Sequence, residues 1–414
     1  MTYQLLAGLR VVESSAFIAA PLGGLALSQL GAEVIRIDAI GGGIDYRRMP
    51  LRSGGRSFYW TALNKGKRSI AIDLSHPEGQ ELVAALATTP GDQGGILLSN
   101  IAARWLSHEG LSARRADMIT CLIEGNFDGS SAVDYTVNCA TGYPAVTGEG
   151  SRDRPVNHAL PAWDVICAMQ AATAVIAAVL GRRTTGQGAE LRIALSDVAF
   201  ATLSHLGLMA EAELGGERES LGNHIYGAFG RDFRTADGER VMVAAISTRQ
   251  WRSLVHACNL ETAIAGIEAT IGFDFASEAD RFEGRELIAA LVKRWFDTRN
   301  FDDVARTFDQ TGVCWGRYGS IRDLIDRDPR ASLKNPIFER ISTPGIGEHL
   351  SAGCPVRLAG EVRQPTLPAQ VLGQDTDAVL AEVLGLNSSQ IGVLHDRGVV
   401  AGPERDPLLS QPVA

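Results

Sequence analysis

Asp164 stands where a polar loop gives way to a long apolar run: Val156-Asn157-His158-Ala159-Leu160-Pro161-Ala162-Trp163-Asp164 continues directly into Val165-Ile166-Cys167-Ala168-Met169-Gln170-Ala171-Ala172. A carboxylate at a helix start faces unpaired backbone N–H groups and the positive end of the macrodipole, which hold it ionised and fix its direction. Two roles are open to it. It can cap the helix, the commoner use of Asp at such a position, or attack an electrophilic carbon and carry the acyl group covalently. Asn64-Lys65-Gly66-Lys67-Arg68-Ser69 packs three cations into four positions just ahead of a strand. That turn is either a solvated surface or a contact for phosphates. Asn100 follows the strand Gly95 to Ser99 at its C-terminal end, where open α/β sheets place ligand contacts.

Other familiar chemistries are missing. The sequence has no GxSxG elbow, HExxH helix, P-loop or paired-Cys metal site, and Gly41-Gly42-Gly43 lacks the GxGxxG spacing of a dinucleotide loop. Six cysteines lie far apart, mostly in apolar sequence, as reduced core residues do. A net charge of -9 argues against nucleic acid or an anionic membrane surface as the main partner. The apolar run Val165 to Leu180 is shorter than the roughly 20 residues of a membrane span and reads as a buried central helix. The N-terminal residues show no signal-peptide pattern, so the expected location is the cytoplasm.

The elements that position these residues are periodic enough to place. Strands at Leu9 to Glu13 and Glu33 to Ile37 flank a small-residue helix from Pro21 to Leu30, a βαβ unit. Ser75-His76-Pro77-Glu78 has the form of a capping box, and Met118 to Glu124 and Glu190 to Leu195 continue a parallel, Rossmann-like sheet. The pattern divides the chain into an α/β domain over 1–213, a smaller α+β domain over 222–330, and a segment 331–414. In that last segment an extended connection, Pro336 to Pro368, leads to two helices, Thr376 to Leu384 and Ser388 to Leu394, returning to the large domain.

On these residues the chain resembles the family III CoA-transferases. Leu9-Arg10-Val11-Val12-Glu13, Ala20-Pro21, Leu30 to Ile37, Asn64 to Ile70 and Asn100 match the family's N-terminal signature, and Leu372-Gly373-Gln374-Asp375-Thr376 through Val400 resembles its closing segment. The resemblance implies an acyl-CoA substrate, no permanently bound cofactor or metal, an interlocked homodimer, and Asp164 as the nucleophile. Stretches Glu13 to Gly24, Asp134 to Asn138, His158 to Asp164 and Tyr226 to Phe233 resemble members that shift CoA between two carboxyl groups of one acid. Ile18 replaces the glutamine of many intermolecular members, and no histidine lies near Val133 and Asp134 as racemisation would need. Carried over by motif, Arg36, Lys67 and Asn100 are expected at CoA. Arg47, Arg231 and His158 are the choices for the free carboxylate of the acyl group, although His158 can equally be structural. Gly227 and Gly230 are candidates for close backbone approach to the oxyanion, or simply a turn.

Overall fold

A computed structural model of the chain describes residues 2–148, 153–216 and 218–408, and divides into two compact units. The first comprises Met1–Thr141, Ala159–Leu208 and Pro329–Ala414; the second comprises Gly142–His158 and Met209–Asp328. Residues 142–158, expected inside the large domain, thus belong to the second unit.

Six parallel strands build the first unit: β1 (Arg10–Ser14), β2 (Glu33–Ala39), β3 (Arg68–Ile72), β4 (Ile96–Ser99), β5 (Ile119–Glu124) and β6 (Ala189–Ala194). They lie in the order β3-β2-β1-β4-β5-β6, and a short antiparallel strand, Val400–Ala401, closes the β3 edge. Val and Ile dominate because both faces of such a sheet are covered. On one face Val12, Ile35, Ile37, Ile70, Ile72 and Leu97 share a core with Val83 and Leu86 of the helix Pro77–Ala87 and with Val379, Leu380, Ile391 and Leu394 of the two closing helices. On the other, helix α1 (Ala19–Gln29) packs against helix α2 (Ala162–Thr185). Gly23 and Gly24 permit this. A Cβ at Gly23 would lie 3.2 Å from the Ala168 carbonyl, and one at Gly24 would overlap the Glu13 carboxylate.

Several local expectations are corrected. The helix start at Pro77 is capped by His76, whose Nδ1 accepts from the Glu78 N–H at 3.2 Å, while Ser75 bonds back to Asp73. Pro336 to Pro368 is not simply extended: Phe338–Thr343 and Gly347–Ala352 form an antiparallel hairpin. Helix α2 has 24 residues and buries one stripe only, Trp163, Cys167, Ala168, Ala171, Ala172, Val175, Val179 and Arg182. Ile166, Met169 and Leu180 on the same helix are exposed, so it is not the wholly buried helix expected. By length and composition it is also long enough to cross a membrane. Cys139 and Cys314 are exposed; the other four cysteines are buried, and all six are free.

The second unit pairs β7 (Phe229–Arg234), β8 (Arg240–Ala245) and β9 (Cys314–Arg317) in an antiparallel sheet. Its core is aromatic, with Trp295 and Phe308 stacked at 5.2 Å beside Phe296.

Candidate active site

Strand order in the first unit reverses at β1, which has β2 on one side and β4 on the other; ligands of open α/β sheets bind at the strand C-termini of such a switch point. The loop leaving β1 there is tied down residue by residue. Asn100, at the end of β4, accepts from the Ala16 N–H at 2.9 Å and donates to the Ala16 carbonyl at 2.7 Å. Asp45 accepts from the Phe17 N–H at 2.9 Å. Phe17 itself has φ +62°, a left-handed conformation costing a bulky residue about 1–3 kcal/mol, and these anchors hold it there. Asn100 therefore shapes the loop; its side-chain amide is already engaged with Ala16.

Beneath the loop lies a buried charge network. The register aligns Glu13 with Arg36 and Arg36 with Ser69, so the three abut on one sheet face across β1, β2 and β3. Arg36 donates to Asp38 at 2.8 Å, to Glu13, Ser15 and Asn64 at 3.1 Å, and to the Ser15 carbonyl at 3.1 Å. Lys67 Nζ lies 2.9 and 2.8 Å from the two Glu13 oxygens and also donates to the Pro21 carbonyl at 2.7 Å and Asn64 at 3.0 Å. Only 2% of Arg36 and 3% of Lys67 is exposed. This corrects the expected cationic surface. Their donors are spent on the protein, so this geometry gives neither of them to CoA phosphates. Burial opposes the charge on both; it pushes Lys67 down to about 8 even beside Glu13, whereas Asp38, Glu13 and Asp45 together outweigh it and hold Arg36 above its ordinary value.

Asp164 is the third residue of α2, and it is not the cap. Asp134, which opens the helix Asp134–Ala140, accepts from the Trp163 N–H at 2.7 Å and the Asp164 N–H at 3.2 Å. Trp163 is fixed further by its indole N–H, 3.0 Å from Asn138. With capping delegated to Asp134, the Asp164 carboxylate accepts no hydrogen bond among the described residues. Burial raises its pKa to about 6, the nearby Asp134 charge adds to the rise, and Arg48 opposes it. The helix start therefore does not hold the acid as strongly ionised as the sequence suggests. A nucleophile of this pKa is ionised at neutral pH yet more basic than an ordinary Asp. We expect kcat/KM to be level above about pH 7 and to fall through pH 6 to about a tenth of its plateau at pH 5. A profile level down to pH 4 would place the essential group elsewhere.

Two further residues of this neighbourhood escape motif reading. Arg48 lies over the Phe17 ring, 5.2 Å from its centroid, and 5.4 Å from that of Tyr59. Tyr59 is held un-ionised chiefly by burial, with the charges of Asp164 and Asp45 adding to the effect. Arg47, expected from the sequence at the free carboxylate, is exposed, as Arg48 is, but no ring contact holds it among the described residues. The other chosen residues lie in the second unit. His158 is half-buried, and Arg231 is paired with Glu286 at 3.6 Å. Gly227 occupies a turn with φ +74°, whereas Gly230 lies buried in β7 where a Cβ would strike Ile225. Packing is the reason for that glycine, which corrects its assignment to an approach loop. No sequence signal singles out Arg48, because Phe17 and Tyr59 meet it only once the loop is folded.

The family model described as CoA-transferase family III matches residues 6–376. The chain is 48% identical over 404 residues to 2-methylfumaryl-CoA isomerase of Chloroflexus aurantiacus, covering 97% of this chain and 99% of that one. It is 24% identical to human succinyl-CoA:glutarate CoA-transferase, over 95% of this chain and 90% of the relative. Among solved structures, a CAIB/BAIF family protein from Brucella suis superposes with a TM-score of 0.76 at 22% identity, covering 92% of this chain and all of that one. With the model spanning most of its length and a relative of such identity covered end to end, the chain belongs to CoA-transferase family III.

Proposed function

We infer that this chain is an intramolecular CoA-transferase that converts 2-methylfumaryl-CoA, the C1 thioester of mesaconate, to 3-methylfumaryl-CoA, the C4 thioester. The observation that carries the reading is end-to-end similarity to a 2-methylfumaryl-CoA isomerase, combined with an acid at a helix start that caps nothing. An Asp164 oxygen attacks the thioester carbonyl and expels CoA thiolate, leaving a mixed anhydride. The thiolate then attacks the Asp164 carbonyl of that anhydride, which releases mesaconate and leaves an aspartyl-CoA thioester. The C4 carboxylate of the retained acid attacks this thioester and expels the thiolate again. Attack of the thiolate on the C4 acyl carbon completes the shift and regenerates the Asp164 carboxylate. Each step is a substitution at an acyl carbon, so atoms and electrons balance without another reactant.

Holding mesaconate between the half-reactions replaces diffusion by the high effective molarity of a positioned acid. Ile18, an apolar residue beside the Ala16–Phe17 loop, supports this reading, because it offers no amide to a second free acid. A homodimer is part of the proposal: exposed Ile166, Met169 and Leu180 on α2, together with Phe200 and Leu206, leave an apolar surface for a second copy. Cytoplasmic location is proposed with it.

The test is isotopic. 2-Methylfumaryl-CoA incubated with excess labelled mesaconate should give unlabelled 3-methylfumaryl-CoA. Label entering the product in proportion to the free pool, or efficient CoA transfer to succinate, would establish the intermolecular reaction instead.

A further inference from the structure

An acyl group derived from a dicarboxylic acid carries a second, ionised carboxylate that needs a counter-charge when the thioester meets Asp164. The arginines of the first unit near this loop are not equivalent. Arg36 is saturated by Glu13, Asp38 and Ser15, and Arg56 donates to the Gln370 carbonyl at 2.7 Å. Arg48, exposed like its neighbour Arg47, makes no ion pair among the described residues, yet its main chain is anchored and its side chain lies against two rings. Its N–H donates to the Asp45 carbonyl at 3.0 Å, its own carbonyl accepts from Ser57 Oγ at 2.5 Å, and Phe17 and Tyr59 both present ring faces to its guanidinium.

Aromatic contacts of this kind steady a guanidinium without using up its five N–H donors, and a pair of those donors matches the two oxygens of a carboxylate. The same Asp45 that starts the turn into Arg48 also fixes Phe17, so ring and cation are set by one residue. The Arg48 charge opposes the rise of the Asp164 pKa, and the charges of Arg48, Asp164 and Asp45 all act on Tyr59.

We propose that Arg48 is the substrate-carboxylate-binding residue, its guanidinium holding the free carboxylate of a dicarboxylic acyl group while the carbonyl at the other end meets Asp164. The proposal rests on the dicarboxylic substrate inferred above and adds the residue that recognises it. It also supplies a pivot. The C4 carboxylate leaves the cation to attack the aspartyl thioester and the C1 carboxylate takes its place, so one cation serves both half-reactions in turn.

Binding separates this role from a structural one. Two ligands are compared by calorimetry in an Asp164→Asn background, where turnover is blocked: 2-methylfumaryl-CoA, and tiglyl-CoA, which carries a methyl group in place of the free carboxylate. Arg48→Gln should weaken the first by about tenfold to a hundredfold, the range of a charge-assisted contact, and leave the second within about twofold. Arg48→Lys, which keeps the charge but not the fork, should fall between, and both variants should keep the parent melting temperature to within a few degrees. Equal losses for both ligands, or no loss for either, would overturn the assignment. If the Arg48-containing protein itself binds tiglyl-CoA as tightly as 2-methylfumaryl-CoA, the dicarboxylic substrate reading fails first and this inference falls with it.

Discussion

Replacing Asp164 by Ala should lower kcat by at least about four orders of magnitude, because a lost nucleophile leaves no alternative path through an acyl-enzyme. Hydroxylamine added during turnover should mark Asp164 in the native protein, as found by peptide mass analysis. Activity surviving in the Ala variant, or modification of another carboxylate, would remove Asp164 from the mechanism. The fold should not suffer. Burial raises the Asp164 carboxyl to about 6 in the folded protein from an ordinary 3.8. Between those values the folded chain holds a proton that the unfolded chain has released, so stability falls as pH rises through this window, and the full cost is present above about pH 6. Asp164→Asn removes the charge while keeping the shape. It should therefore unfold with a free energy higher by about 1–3 kcal/mol at pH 7.5, an advantage that vanishes near pH 4. An Asn variant no more stable than the parent at pH 7.5 would contradict the environment described for this acid.

The largest stability effect is expected at Glu13. Its carboxylate meets both Lys67 and Arg36 inside the protein, at 2.8 and 3.1 Å. Glu13→Ala leaves two buried cations short of a partner, which should cost about 3–5 kcal/mol, read as a shift in the urea midpoint. Glu13→Gln keeps one acceptor oxygen for these donors and should cost less. The double variant Glu13→Gln with Lys67→Met should recover stability relative to Glu13→Ala, because the unpaired ammonium is gone. A Glu13→Ala protein within about 1 kcal/mol of the parent would show that Lys67 and Arg36 find other partners or solvent. It would also restore the possibility that these cations face a ligand.

The backbone plan was legible because its signals are local. Glu33 to Ile37, Arg240 to Ala245, Arg285 to Phe296 and Thr376 to Leu384 alternate or repeat within a few residues, and the structure forms strands or helices there. Asp164 was legible as a helix-start acid for the same reason. Its true relation to the helix was not: Asp134, thirty positions earlier in the chain, takes the capping bonds, and no local pattern links the two. The hairpin at Phe338–Ala352 escaped notice because its strands are weakly alternating and half exposed, and pairing supplies what periodicity does not.

The sequence by itself determined the succession of elements and the inventory of reactive groups, since apolar period and residue type are properties of short stretches. Tertiary structure decided which charges face outward. Lys67 reads as a solvated or phosphate-facing cation in its window of the sequence and Arg36 as a cation within a strand, but the β1–β2–β3 register carries Glu13 and Asp38 to them and buries all four. Arg48, next to an arginine that the motif suggested first, is singled out only when the loop of Phe17 and the helix of Tyr59 fold onto it. Electrostatic roles depend on partners and dielectric surroundings brought from distant parts of the chain, and those exist only after the strands have paired and the core has closed.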